Sequence, residues 1–327
     1  MLRKLLFVLL TVVSLAAHAD WEPTKKTIEI VCPYPPGGAS DKVARVIEEI
    51  FNEHGWRSVV LNKPGADTVI GANYAAKSAP DGYTFYMGGN GFLDSNIAFK
   101  KKAEGIEYTE TSFTPVVPMG ISTLVLAVPP KSPINTYAEL KDYVKKNPKR
   151  FNVGFWNSNT AKLFALWAKL EGLPEPTIIN YKGSAPQMGD LMGGNLDMGF
   201  DTYVSMKGPW QAGKVKIIAT LTQEGQTLIH KTDPKFKTTV LSKIHPELNL
   251  NIWYGLYAPA GVDPKIISDV NHVVNSALSD TKYKEKFISS EIVGPGGSMA
   301  ELYVTQDRAL KILQNVSKNI ESLSTKL

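Results

Sequence analysis

The chain has 327 residues, 43% of them apolar, and its 36 Lys and Arg against 31 Asp and Glu give a formal charge of +5. This is the composition of a globular protein. No dense basic stripe with interleaved aromatics marks a nucleic-acid surface, and a single cysteine excludes an internal disulfide.

Residues 1–19 read as an export leader. Arg3 and Lys4 open it, an apolar run covers 5–15, and Ala17 and Ala19 place small residues before a cleavage point after Ala19. The run is shorter than the roughly 20 residues of a membrane span, and no Cys stands at the cleavage point to carry a lipid. A periplasmic, monomeric protein is therefore expected. Removing Arg3 and Lys4 leaves 34 basic residues against 31 acidic ones, a net charge of +3, on a chain long enough for two modest domains.

Strand, loop and helix then alternate. A β-branched strand over 27–32 breaks at Pro33 and resumes as a helix over 41–51, where Val43, Ile47, Ile50 and Phe51 fall at helical spacing. Ser40 or Asp41 is the natural N-cap. Cys32 reads as a buried strand residue. Strands follow over 59–61 and 83–87, with a helix over 70–77 between them. The alternation returns with strands over 123–128, 151–155, 177–181, 196–200 and 215–220, separated by helices over 137–146, 161–171, 186–192 and 203–212. A strand over 254–258 precedes a tail that is largely helical from Pro264. This pattern predicts an α/β protein with sheets covered on both faces. It runs through the scheme twice, which predicts two lobes: 20–120 with 255–327, and 121–254. A small ligand is expected in the cleft between them.

The loop before the first helix carries the clearest chemistry. Tyr34-Pro35-Pro36-Gly37-Gly38-Ala39-Ser40-Asp41 stiffens the chain with prolines, then removes side chains with glycines. A helix N-terminus follows, with unpaired N–H groups and a partial positive charge. That is an anion site without Lys or Arg. No Gly-x-Gly-x-x-Gly and no Gly-Lys-Ser/Thr is present, so nucleotide loops lack their defining residues.

Four segments extend the reading: IEIVCPYPPGGASD from Ile28, NKPGADTVIGANYAAKSAPDGYT from Asn62, NYKGSAPQMGDLMGGNLDMGFD from Asn180 and WYGLYAPAG from Trp253. In these the chain resembles the Bug family, the extracytoplasmic binding components of tripartite tricarboxylate transporters. The resemblance implies a two-lobed type II periplasmic-binding fold that closes on a carboxylate, held by one loop from each lobe. Membrane transporter subunits are the implied partners, and no cofactor is implied. The first loop is 34–41. The second is Trp156-Asn157-Ser158-Asn159-Thr160, ahead of a helix beginning near Ala161, with Ser158, Asn159 or Thr160 as its cap. This second loop departs from the small Ser and Gly residues usual in the family. Trp156 either stacks on a flat ligand, narrows the cleft, or packs against the hinge.

Weaker candidates are Gly88 and Asn90 after a strand, Tyr181 and Lys182 between a strand and a helix, and Asp201 at a strand end. Asp201 would take a ligand ammonium, organise water, or cap the next helix. Lys182 would pair with a carboxylate or lie solvated. An enzyme is disfavoured: His54, His230, His245 and His272 are isolated, no Gly-x-Ser-x-Gly elbow occurs, and no His/Cys spacing suggests a metal. The expected function is capture of a small mono- or dicarboxylate for a transporter. A ligand sensor and, remotely, a secreted hydrolase are the alternatives.

Overall fold

The computed structural model describes residues 21–89, 105–147, 151–156, 158–174, 176–289 and 292–324. The leader expected over 1–19 lies outside them.

The chain folds around two sheets. The first is built from β1 (Ile28–Cys32), β2 (Ser58–Asn62), β3 (Thr84–Gly89), β4 (Phe113–Ser122) and β11 (Ile252–Pro259) in the order β2-β1-β3-β11-β4. The second holds β5 (Leu124–Val128), β6 (Asn152–Phe155), β7 (Thr177–Asn180), β8 (Met198–Thr202), β9 (Lys216–Thr220) and β10 (Thr239–Val240) in the order β10-β9-β5-β8-β6-β7. Both are mixed: β1 is parallel to β2 and β3, whereas β11 runs antiparallel to β3 and β4.

The helices are α1 (Ala39–Glu53), α2 (Val69–Ala76), α3 (Tyr137–Lys146), α4 (Ser158–Leu170), α5 (Ser184–Gly193), α6 (Tyr203–Gln211), α7 (Gln223–Thr232), α8 (Pro264–Leu278), α9 (Thr281–Ser289) and α10 (Met299–Ser324). In α1 the apolar stripe read from the sequence is the buried face: Val43, Ile47, Ile50 and Phe51 all pack inward. Strand β5 shows the complementary period of two. Leu124, Leu126 and Val128 enter the large core cluster, while Val125 and Ala127 enter a second cluster on the other face with Leu191 and Ile217. Each such fully buried Leu or Val contributes about 1.5–3 kcal/mol.

Two strands have no counterpart in the sequence reading, the two-residue β10 and the longer β4. β4 contains Pro115 and Pro118, which argue against a strand. It exists because it is the edge strand of its sheet, laddered with β11 and bridged on its other side only at Ile121, to Val293, among the described residues, and the register shifts beside Pro118 and Pro115 as it passes Gly255 and Tyr257. Proline's missing N–H is tolerated at such an edge.

The chain passes from the first sheet to the second through Thr123 alone, between β4 and β5, and returns just before β11. These crossings are tied together. Thr123 Oγ1 and Thr222 Oγ1 are 3.0 Å apart, and Thr222 Oγ1 donates to Asn251 Oδ1 at 3.0 Å. Gly225 sits so close to Thr123 that a Cβ would come within 2.5 Å of its hydroxyl. The helical tail does not stay on the first sheet, as the sequence suggested: α10 packs on β4 and also on α4 of the second half.

Candidate functional site

A cavity of about 290 Å³, open in part to solvent, lies where the two halves meet. It is lined by Tyr34, Pro35, Gly38, Ala39 and Ser40 from the β1–α1 loop, Tyr254 from β11, and Trp156, Ser184 and Thr202 from the second half. No Lys, Arg, Asp or Glu among the described residues lines it.

The first loop is shaped from beneath. Gly37 takes φ +91°, a left-handed value that a side chain would strain. Its N–H donates to Asp41 Oδ2 at 2.9 Å, and Arg45 Nε donates to the same oxygen at 3.0 Å. Asn62 Nδ2 donates to Asp41 Oδ1 and to the Tyr34 carbonyl, both at 2.9 Å. Burial would raise the Asp41 carboxyl, but these donors outweigh it and hold it below its ordinary range. Asp41 is therefore a buried brace, and the expected cap is corrected: α1 begins at Ala39 with Gly38 as N-cap, and no side chain caps it. The reason is geometric. Asp41 lies inside the first turn and reaches back to Gly37, so its oxygens are spent on the loop.

The second loop is corrected too. α4 begins at Ser158, three residues early, so Ser158, Asn159 and Thr160 form its first turn. Thr160 is buried there, and Asn157 lies outside the described residues. Trp156 reaches across the cleft, its ring edge-on to Tyr34 with centroids 5.6 Å apart. Nearby, Gly183 meets the first loop so closely that a Cβ would lie 2.7 Å from Pro35 Cδ.

Two further helix starts join the site. Ser184 opens α5 after Gly183, and Thr202 is the N-cap of α6; neither helix has a side-chain cap bond. Three helices of 15, 10 and 9 residues thus bring uncapped N-termini to one small cavity. Their free N–H groups and aligned dipoles create positive potential without a formal cation.

Asp201 lies behind this surface and is fully buried. Its Oδ1 accepts from Ser184 Oγ at 2.9 Å, Thr202 N at 2.6 Å and Thr202 Oγ1 at 3.3 Å. Its Oδ2 has no partner among the described residues. Burial pushes the carboxyl up to about 7, against the pull of these donors and of Lys42 on α1. The Tyr254 phenol is held far above its ordinary range, first by burial, then by the Asp201 charge, with the Thr202 hydroxyl offsetting part of the rise.

Of the other sequence candidates, Gly88 is buried in β3 opposite Gly255, and Asn90 lies outside the described residues. Tyr181 turns away, donating to Asp190 Oδ2 at 2.6 Å, and Lys182 is exposed. Neither lines the cavity. The sequence reading did not single out Thr202 or Tyr254. Ser184 and Thr202 carry the same signal as the first loop, a small polar residue between a strand and a helix. Tyr254 carries none, because only the return of β11 beside β3 brings it there. Among the described residues no cluster of His, Cys, Asp or Glu has a metal-holding arrangement, and no helix is long and apolar enough to cross a membrane.

A two-lobed α/β frame with helix starts facing one cavity defines a solute-binding protein of the periplasmic type, and solved periplasmic-binding structures share the frame. The chain belongs to the TctC family, the tripartite tricarboxylate transporter family receptors, whose pattern it matches over residues 43–313. It is 28% identical over 292 residues to the protein BugT of Bordetella pertussis, covering 86% of this chain and 85% of that one. Among solved structures it is similar to R. palustris Rpa4515 with adipate, at a TM-score of 0.82 and 25% identity over 90% of this chain and 97% of the other. It also shares the fold of the periplasmic binding protein BugD, at a TM-score of 0.80 and 23% identity over 90% of this chain and 97% of that one. The resemblance to the Bug proteins drawn from the four sequence segments holds.

Proposed function

We propose that the mature chain, freed of its leader after Ala19, captures a small mono- or dicarboxylate in the periplasm and delivers it to the membrane subunits of a tripartite tricarboxylate-type transporter. The observation that carries this reading is the convergence of three uncapped helix N-termini on one cavity that no lysine or arginine lines among the described residues. Family membership and the adipate held by Rpa4515 support it. Gly38, Ala39 and Ser40 offer backbone N–H groups from one lobe, and Ser184 does so from the other. Tyr34 and Trp156 close over the ligand. The lobes divide at the crossing near Thr123 and the return before Ile252, and the protein acts as a monomer.

Isothermal calorimetry with C4 to C6 dicarboxylates, citrate, aromatic carboxylates, amino acids and neutral sugars tests this. Roughly micromolar affinity for at least one carboxylate is expected, the level that a few charge-assisted hydrogen bonds reach after association costs. Binding of a neutral sugar with silence across every carboxylate would reverse the reading.

A further inference from the structure

Two side chains at the cavity carry polar atoms that the rest of the protein does not satisfy. Trp156 is 8% exposed and Tyr254 3%. Both line the cavity, and neither the indole Nε1 nor the Tyr254 phenol oxygen meets full hydrogen-bond geometry with another described group, although the Thr202 hydroxyl lies near the phenol. Buried polar groups in folded proteins are nearly always paired, so two orphans at one cavity call for a partner from outside the chain. An indole N–H can only donate. The phenol keeps its proton, since burial and the nearby Asp201 disfavour its anion.

The acceptors are placed differently. The nearest carboxylate, Asp201, does not line the cavity. It lies behind Ser184 and Thr202, whose hydroxyls donate to it. A ligand ammonium would therefore meet two N–H or O–H donors and three helix N-termini of its own sign, with no carboxylate among the described residues lining the cavity. The phenol oxygen can also accept, but a lone neutral acceptor does not offset three like-signed helix ends.

Resting on the carboxylate reading above, we propose that Trp156 Nε1 and Tyr254 Oη donate directly to the ligand. They thereby select a carboxylate whose other polar groups are all oxygen, a second carboxylate or a hydroxyl, and reject its amino counterpart, which carries an ammonium in place of a hydrogen or hydroxyl. The indole in the atypical second loop is a specificity-determining residue.

Calorimetry on the wild-type protein with succinate, malate and glutarate against aspartate and glutamate tests the selection without any substitution. At least one of the first three is expected to bind about 100-fold tighter than its amino counterpart, the discrimination expected when a cation meets a site built of donors. Trp156→Phe and Tyr254→Phe keep the rings and remove one donor each. Each is expected to weaken the preferred acid about 10-fold while thermal unfolding of the free protein stays within a few degrees. Aspartate or glutamate binding as tightly as the matching diacid, or both variants retaining wild-type affinity, would overturn the selection and leave carboxylate capture standing. An aromatic monocarboxylate preferred over all five would do the same. Failure of every carboxylate, amino or not, would remove the carboxylate reading and this proposal with it.

Discussion

At the scale of single residues, two aspartates behave in opposite ways. Asp41 is buried, yet it accepts from Gly37, Arg45 and Asn62 and is held in its charged form. Because its folded pKa is depressed, its contribution is complete above the unfolded carboxylate value near 4 and fades as pH falls through the folded one. Asp41→Ala should cost about 3 kcal/mol, since it strips three donors of their acceptor, and it should loosen ligand binding by letting Gly37 relax. Chemical denaturation with and without ligand measures both effects. Asp201 has the reverse sign. Its folded value of about 7 lies above the unfolded one, so the native state binds the extra proton between about pH 4 and 7, and stability falls as pH rises across that window. Asp201→Asn should flatten the slope and raise stability at pH 8. Melting curves from pH 4 to 8 check this, and an unchanged slope would show that other groups produce it. The sequence identified both aspartates as noteworthy but could not separate them. Residue type gives the charge, whereas the pairing of Asp41 and the orphaned oxygen of Asp201 arise only from packing.

At the scale of elements, what could be read in advance was what local periodicity controls. The stripe Val43, Ile47, Ile50 announced α1, and α3 follows its expected span, closed by a Thr136–Glu139 capping box. Strand β4 was hidden because Pro115 and Pro118 break the local rule, and only its edge position excuses them. The start of α4 was misplaced because polar residues such as Ser158 and Asn159 suit a cap as well as a first turn. Loop-to-loop contacts were wholly illegible. Gly183 against Pro35 is one of them, and it gives a prediction at this scale. Gly183→Val should leave the fold intact but prop the loops apart, because even a Cβ would lie 2.7 Å from Pro35 Cδ. Ligand affinity should fall at least about 10-fold with little change in melting temperature. Small-angle scattering should find the ligand-saturated variant more open than wild type. Wild-type affinity and compaction would show that the loops can part without loss.

For the whole molecule, the division into two α/β halves was readable from repeated alternation, while the way they are joined was not. The joint is a polar knot of Thr123, Thr222 and Asn251 at the crossings, backed by α10 lying on both β4 and α4. Thr222→Val keeps the shape and removes all three side-chain bonds, including the cap that Thr222 Oγ1 gives the Gly225 N–H. It should destabilise the protein by about 1–3 kcal/mol by leaving partners unpaired, a shift of a few degrees in melting temperature for a chain of this size. It should also change affinity, because the same knot sets the angle between the halves. Unaltered affinity with lowered stability would show that α10 alone fixes that angle.

The distribution of the helix ends has a consequence for release. One of the three N-termini at the cavity belongs to the half that carries the first sheet and two to the half that carries the second, and neither half alone supplies all three. The attraction therefore exists as a whole only while the halves touch. Separation by a few ångströms admits water, whose high dielectric mutes partial charges far more than the protein interior does. Unclasping and letting go become one event, so whatever pries the halves apart needs no competing anion to empty the cradle.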